Sequence, residues 1–342
     1  MKKITIEDLL KFRFIQNLSF NPKGNNYAYE LVHIDKKKDE YFTTVCVNKK
    51  AFTFKKSTSL LTWKDNEHLL IKEENTAKNT LYNKYSLLDI NDGKRKNLFS
   101  TPLNLSDVKV IDENTLVFTS YIDANHPDVY KYNKEKLQKY QEDKKKEADY
   151  EVLDEIPYWM NGAGFLNKKR KALFVCNIKP LKIERITDPL FNVGAVEVKD
   201  HLVYFSGSSY KSRMPLYDKI FSYDLKSEKT KCLYDKADQM IMDLFVFDEK
   251  LCVLSTDGKS YGINETAKFH ELKNNELIDL PSYDRSLYNA AAVDTTLGAG
   301  KGKVIKEDFI YTLACEKDHI EIWRLDKKFK KTKLISMPLI ST

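Results

Sequence analysis

Four stretches of this sequence hold residue types that could do chemistry. The first is Ser206-Gly207-Ser208-Ser209-Tyr210, where serines beside a glycine suggest a nucleophile. An acyl-transfer elbow needs G-x-S-x-G, because glycines on both sides relieve crowding at a strained strand-to-helix turn. Here Tyr210 and Lys211 stand where the second glycine should come, and an apolar strand precedes, so a polar turn is the better reading. That spacing occurs nowhere else, and no catalytic residue is assigned. The second stretch, Gly298-Ala299-Gly300-Lys301-Gly302, imitates a phosphate cradle. A P-loop requires G-x-x-x-x-G-K-[ST] leading into a helix, whereas strand residues follow here, so no cofactor is expected. The third set is the metal-binding types. The six histidines are isolated, and the five cysteines (Cys46, Cys176, Cys232, Cys252, Cys315) show no C-x-x-C pair, so no metal site is expected. The fourth, Glu155-Ile156-Pro157-Tyr158-Trp159-Met160-Asn161-Gly162-Ala163-Gly164-Phe165, is the one serious candidate. Tyr158 and Trp159 offer rigid apolar area of the kind that anchors ligands or interfaces. Glu155 can pair with a substrate amino group or a cationic side chain, with Asn161 alongside. The competing reading is that the two rings plug a gap between neighbouring sheets.

Composition narrows the classes that could use such residues. The 342 residues carry 57 Lys+Arg against 50 Asp+Glu, a formal +7, and are 42% apolar. Only seven of the cations are arginine, the planar fork on which phosphate and base-edge recognition lean, so a dedicated nucleic-acid surface is not expected. Lysine-rich runs such as Lys94-Arg95-Lys96 and Lys168-Lys169-Arg170-Lys171 read as solvated turns. No apolar run approaches the roughly 18 residues of a membrane helix. Acids interrupt the stretch after Met1-Lys2-Lys3, which argues against a secretory signal. Unpatterned cysteines fit reduced thiols and a cytoplasmic protein.

The elements that must position the candidate stretch come from a repeat. An apolar strand, a tight polar turn and a second apolar strand recur six times. The turns are Asn21–Asn26, Lys64–Glu67, Asp112–Asn114, Lys199-Asp200, Asp248–Lys250 and Lys306–Asp308. A second hairpin follows each copy, as in Tyr85–Gly93, Ile220–Ser227 and Ile320–Lys327. Asp, Asn, Gly and Ser fall where the chain reverses, because they cap or tolerate turn geometry. Four strands per unit at intervals of roughly 40–60 residues predict an all-β chain, a β-propeller of four-stranded antiparallel blades. Helical solenoids need a 3.6-residue apolar period, which these runs lack.

Two features depart from the repeat. A charged insertion over 127–154, with Lys131, Glu135, Lys139 and Asp143 at helical spacing, reads as a solvent-exposed helix or arm projecting from the third blade; a charged loop is the alternative. Residues 1–16 read as a short N-terminal helix and lead-in, with Thr5 and Asp8 forming a cap and Ile4 stapled to Leu9.

The opening Asp8-Leu9-Leu10-Lys11-Phe12-Arg13-Phe14 with Leu18-Ser19-Phe20-Asn21-Pro22-Lys23-Gly24 resembles the start of the prolyl oligopeptidase family of serine peptidases, in its acylaminoacyl-peptidase-like branch. Glu155–Phe165 is similar to a stretch these enzymes carry in the third blade, and Gly298–Gly302 is a weaker match. The resemblance implies a seven-bladed propeller over an α/β-hydrolase domain, with the propeller gating peptide access to the serine. It also places Glu155, Tyr158, Trp159 and Asn161 near the face that meets that domain. Six blades are visible, and the hydrolase domain is expected to be missing or on a separate chain. The expectation is therefore a single propeller domain over 1–342, non-catalytic, with a hydrolase domain as partner and peptides reached through it. A free-standing interaction platform is the alternative, and binding of an anionic polymer through lysines is a third reading. Self-association through an open edge is also expected.

Overall fold

The computed structural model describes residues 3, 5–37, 39–54, 58–73, 81–161, 163–288, 302–317 and 319–338. The predicted hairpins are present, and they assemble into antiparallel sheets. The first four-stranded sheet comprises Arg13–Phe20, Tyr27–Asp35, Glu40–Val47 and Lys50–Phe52. The second comprises Thr58–Trp63, His68–Glu73, Asn83–Asp89 and Arg95–Thr101. The third comprises Ser106–Val110, Thr115–Asp123, Lys169–Asn177 and Lys182–Arg185. Next comes a seven-stranded sheet, from Phe191–Lys199 to Glu276–Asp279. Its middle strand, Lys229–Phe247, pairs by its first half with Asp218–Asp224 and by its second half with Lys250–Thr256. It thus serves two four-stranded units, a fourth and a fifth. The last unit comprises Lys303–Lys306, Phe309–Glu316, His319–Leu325 and Lys331–Pro338. The architecture is that of a β-propeller.

One turn chemistry recurs in several of the hairpins. Asp65, Asp89, Asp112, Asp224 and Asp326 each accept the backbone N–H two residues on, at 2.7 to 2.9 Å. Each carboxylate satisfies a donor that the reversal would otherwise leave unpaired. Alternation along the strands then gives every unit apolar faces. Among the described residues five clusters of buried side chains result, each bridging two consecutive units. Val45, Phe52, Trp63 and Leu69 join the first to the second. Tyr85, Phe99, Leu116 and Phe174 join the second to the third. Leu173, Phe191 and Phe205 join the third to the fourth, Ile220, Leu244 and Val253 the fourth to the fifth, and Phe245, Phe269, Ile310 and Trp323 the fifth to the sixth.

The departures from the repeat differ from expectation. The N-terminal helix is a 3₁₀ turn, Ile6–Lys11, too short to nucleate an α-helix. Asp8 caps it by accepting the Thr5 N–H at 2.8 Å and the Thr5 hydroxyl at 3.0 Å. Ile4 and the Leu9 side chain lie outside the described residues, and the first strand already starts at Arg13, inside the expected lead-in. The insertion does form a helix, Lys134–Lys146, capped by Asn133. It does not project as an arm. Leu137 is buried, and Lys144 reaches Asp123 on the third sheet at 3.0 Å, so the helix lies against the protein.

Candidate functional site

The chain leaves the third sheet after Asp123 and returns at Lys169, so everything between is one excursion between neighbouring strands. Its second half holds Glu155–Phe165. What fixes it is Arg170, the second residue of the returning strand. Ala172, Phe174 and Cys176 face the core, and alternation carries Arg170 to the same buried side. The run Lys168–Lys171 is therefore not a solvated turn. Lys171 pairs with Asp107 at 2.6 Å, and Arg170 is fully buried.

All five Arg170 N–H donors are used. Nη2 donates to Glu155 Oε1 at 2.6 Å and to the Tyr210 carbonyl at 3.0 Å. Nη1 donates to Glu155 Oε2 at 3.1 Å and the Lys169 carbonyl at 3.0 Å, and Nε to the Leu190 carbonyl at 3.2 Å. The guanidinium also lies 3.6 Å from the centre of the Tyr210 ring. A guanidinium without one of these acceptors would carry an unsatisfied buried donor, so the set holds the geometry firmly. Glu155 is consumed by this arrangement. It also accepts the Lys168 backbone N–H at 2.9 Å and the Lys168 ammonium at 3.3 Å. Burial pushes its carboxyl upward, but the hydrogen bonds from Arg170 and Lys168 prevail and hold it below the usual carboxylate range. Its cationic partner is thus internal, on the same chain.

Beyond this anchor the segment turns outward. The Ile156 N–H donates to the Ser212 carbonyl at 2.8 Å, and the Met214 N–H to the Ile156 carbonyl at 2.8 Å, tying it to a loop of the fourth unit. A two-stranded hairpin follows, with Trp159 opposite Phe165 and Met160 opposite Gly164. Gly164 takes φ +70°, a left-handed value that glycine adopts without strain. Tyr158 and Trp159 are each 50% exposed, as are, to similar degrees, Ile156, Met160, Phe165 and Leu216. The rings do not plug a gap between sheets. Asn161 sits exposed at the hairpin tip. The structure therefore separates the four candidates into a buried anchor, Glu155, and an outward apolar platform, Tyr158 and Trp159, with Asn161 at its end. Sequence reasoning missed Arg170, although the period-2 pattern running back from Phe174 pointed to it.

The other stretches carry structural duties. The Ser206 hydroxyl accepts the Ala195 N–H at 2.9 Å, and the Ser208 hydroxyl donates to Asp218 Oδ1 at 2.6 Å. Most of Gly298–Gly302 lies outside the described residues. Among the described residues no group of three or more His, Cys, Asp or Glu is placed to hold a metal ion, and no helix is long and apolar enough to cross a membrane.

No protein-family model and no curated protein sequence matches the chain. Solved structures do. The acylaminoacyl peptidase of Pyrococcus horikoshii superposes with a TM-score of 0.66 at 13% identity, over 95% of this chain and 46% of that one. The β-propeller domain of the trilobed protease from Pyrococcus furiosus, described as having an open velcro topology, gives 0.57 at 11% identity, over 94% of this chain and 86% of that domain. A prolyl endopeptidase gives 0.54 at 10% identity, over 96% and 43%. The fold is the propeller of these peptidases. At such identities the likeness speaks for the fold alone, and the chain spans less than half the length of the intact acylaminoacyl peptidase.

Proposed function

We propose that this chain is the non-catalytic propeller portion of a serine peptidase of the acylaminoacyl-peptidase or prolyl-oligopeptidase kind. In this reading it restricts which peptides reach an α/β-hydrolase domain carried outside these residues. The observation that carries the proposal is the outward platform of Tyr158, Trp159, Met160 and Phe165, mounted on the buried Glu155–Arg170 pair. Large exposed apolar side chains grouped on a firmly anchored hairpin are what a docking face requires, because they lose no internal packing when a partner covers them. Catalysis would come from the partner, since an acyl transfer needs an activated nucleophile and oxyanion donors. Free thiols at all five cysteines support a reducing, cytoplasmic setting.

The reading frame beyond Thr342 tests this directly. A downstream G-x-S-x-G within alternating strands and helices supports it. A stop codon with no neighbouring hydrolase gene removes its basis and leaves the second reading, a free-standing interaction platform that uses the same exposed face. Purified chain should not hydrolyse N-acetyl-alanine p-nitroanilide; turnover that survives repurification would overturn the non-catalytic assignment.

A further inference from the structure

The fourth unit holds a cavity of about 510 Å³ beside the third, with a floor of three phenylalanines. Phe191 meets Phe205 edge-on at 5.8 Å and Phe221 at 5.5 Å, while Phe205 and Phe221 stack at 5.4 Å. A glycine makes this floor possible. A Cβ on Gly207 would stand 2.6 Å from the Phe191 ring and 2.2 Å from the Asn192 carbonyl oxygen, so any side chain there would displace the ring. Tyr217, whose hydroxyl is tied to the Asp257 carbonyl at 2.9 Å, and Pro215 form one wall.

The rim adds charge. Along Asp218–Asp224, alternation puts Lys219 and Phe221 on the cavity side and sends Asp218 to the opposite face, where Ser208 holds it. Lys219 lines the cavity, is exposed, and has no ion-pair partner among the described residues. An apolar aromatic floor with one cation at its mouth matches the usual composition of a small-ligand site. We infer that this cavity binds an aromatic group bearing a carboxylate, such as the aromatic C-terminal residue of a peptide. The ring rests on Phe191, Phe205 and Phe221, and the carboxylate faces Lys219. The inference stands on the cavity alone and does not require a hydrolase partner.

Calorimetric titration of the full chain with N-acetyl-L-phenylalanine tests it. Saturable binding is expected with a dissociation constant on the order of 1 mM, suited to a ligand of this size. The neutral N-acetyl-L-phenylalanine amide should bind about fivefold more weakly, the span of one partly exposed charge pair. N-acetyl-L-alanine should not bind. Lys219→Gln should bring acid and amide to equal affinity. Thr230→Trp, at an exposed edge-strand position lining the cavity, should abolish binding of both while leaving the circular dichroism unchanged. No saturation below about 10 mM, or acid binding untouched by either substitution, overturns the assignment. Since Lys219→Gln alters only a solvent-facing side chain, the test survives a failure of the tryptophan variant to fold.

Discussion

The five joined seams between consecutive units and the place where the last unit should meet the first are built from similar residues, yet buried very differently. In the first sheet, alternation sends Ala28, Val45, Val47 and Phe52 to the second unit, where all are buried. The opposite face carries Ile15, Phe20, Tyr27, Tyr29 and Leu31, of which Ile15 is 55% and Phe20 57% exposed. The last unit repeats the contrast. Ile310, Ala314 and Trp323 are buried against the fifth unit, while Val304 and Ile335 on the other face are half exposed. Among the described residues no buried cluster joins the last unit to the first. Apolar composition alone therefore contributes nothing; stability comes from the face that a neighbour covers.

The largest test of this contrast is truncation in a closed seam. Trp323 is fully buried in the fifth–sixth seam, and its indole N–H donates to Glu321 Oε2 at 2.6 Å. Trp323→Ala should cost about 3–5 kcal/mol of unfolding free energy, read from urea denaturation. The polar tie of the third–fourth seam comes next. Arg170→Met leaves buried Glu155 without the guanidinium, with only Lys168 still paired to it, and should cost about 3 kcal/mol. Adding Glu155→Gln should recover a large part of that loss. If the double variant is no better than the single one, the pair is not the anchor of the platform.

A pH test reaches the fifth unit. His270 is buried there, with Nδ1 3.1 Å from Asp279 Oδ1. Burial outweighs the aspartate and lowers its pKa below the ordinary value of 6.5. The unfolded chain therefore takes up the proton first. The histidine's contribution to stability is complete above pH 6.5 and declines as pH falls from there toward the folded value. The urea midpoint should drop between pH 7.5 and 5.5, and His270→Gln should flatten that part of the profile. An unchanged slope in the variant would assign the acid sensitivity to other groups.

Much of this contrast was legible in the residues themselves. The turn aspartates and the alternating strands announced the sheets, because both signals are local and each turn needs its own cap. The helix Lys134–Lys146 was legible from charge spacing, but its docking was not, since one buried leucine among lysines gives almost no periodic signal. In Lys229–Phe247 only the end that leads into the Asp248–Lys250 turn was legible. The strand's passage from one sheet to the next, with Ala237 at φ +49°, carries no glycine or proline to mark it. In the candidate site the exposed rings were recognisable as potential anchors. The inward role of Glu155 depended on Arg170, whose burial contradicts its lysine-rich surroundings and is set only by strand register.

The smallest expected effects lie at the uncovered faces, and they decide whether the contrast holds in solution. Ile15→Ser and Ile335→Ser remove apolar side chains that remain about half in water, so each should shift unfolding by no more than about 0.5 kcal/mol. The same change at Val45, on the covered face of the first sheet, should cost several times more, because it adds a cavity and buries an unpaired hydroxyl. The ratio between the two faces of one sheet is the informative quantity, since strand propensity and turn chemistry are shared and cancel. A loss above about 1.5 kcal/mol at Ile15 and Ile335 together, exceeding the sum of the single variants, would mean the two faces touch. In that case the last unit packs on the first, and the ring is closed by contact rather than left with two uncovered walls.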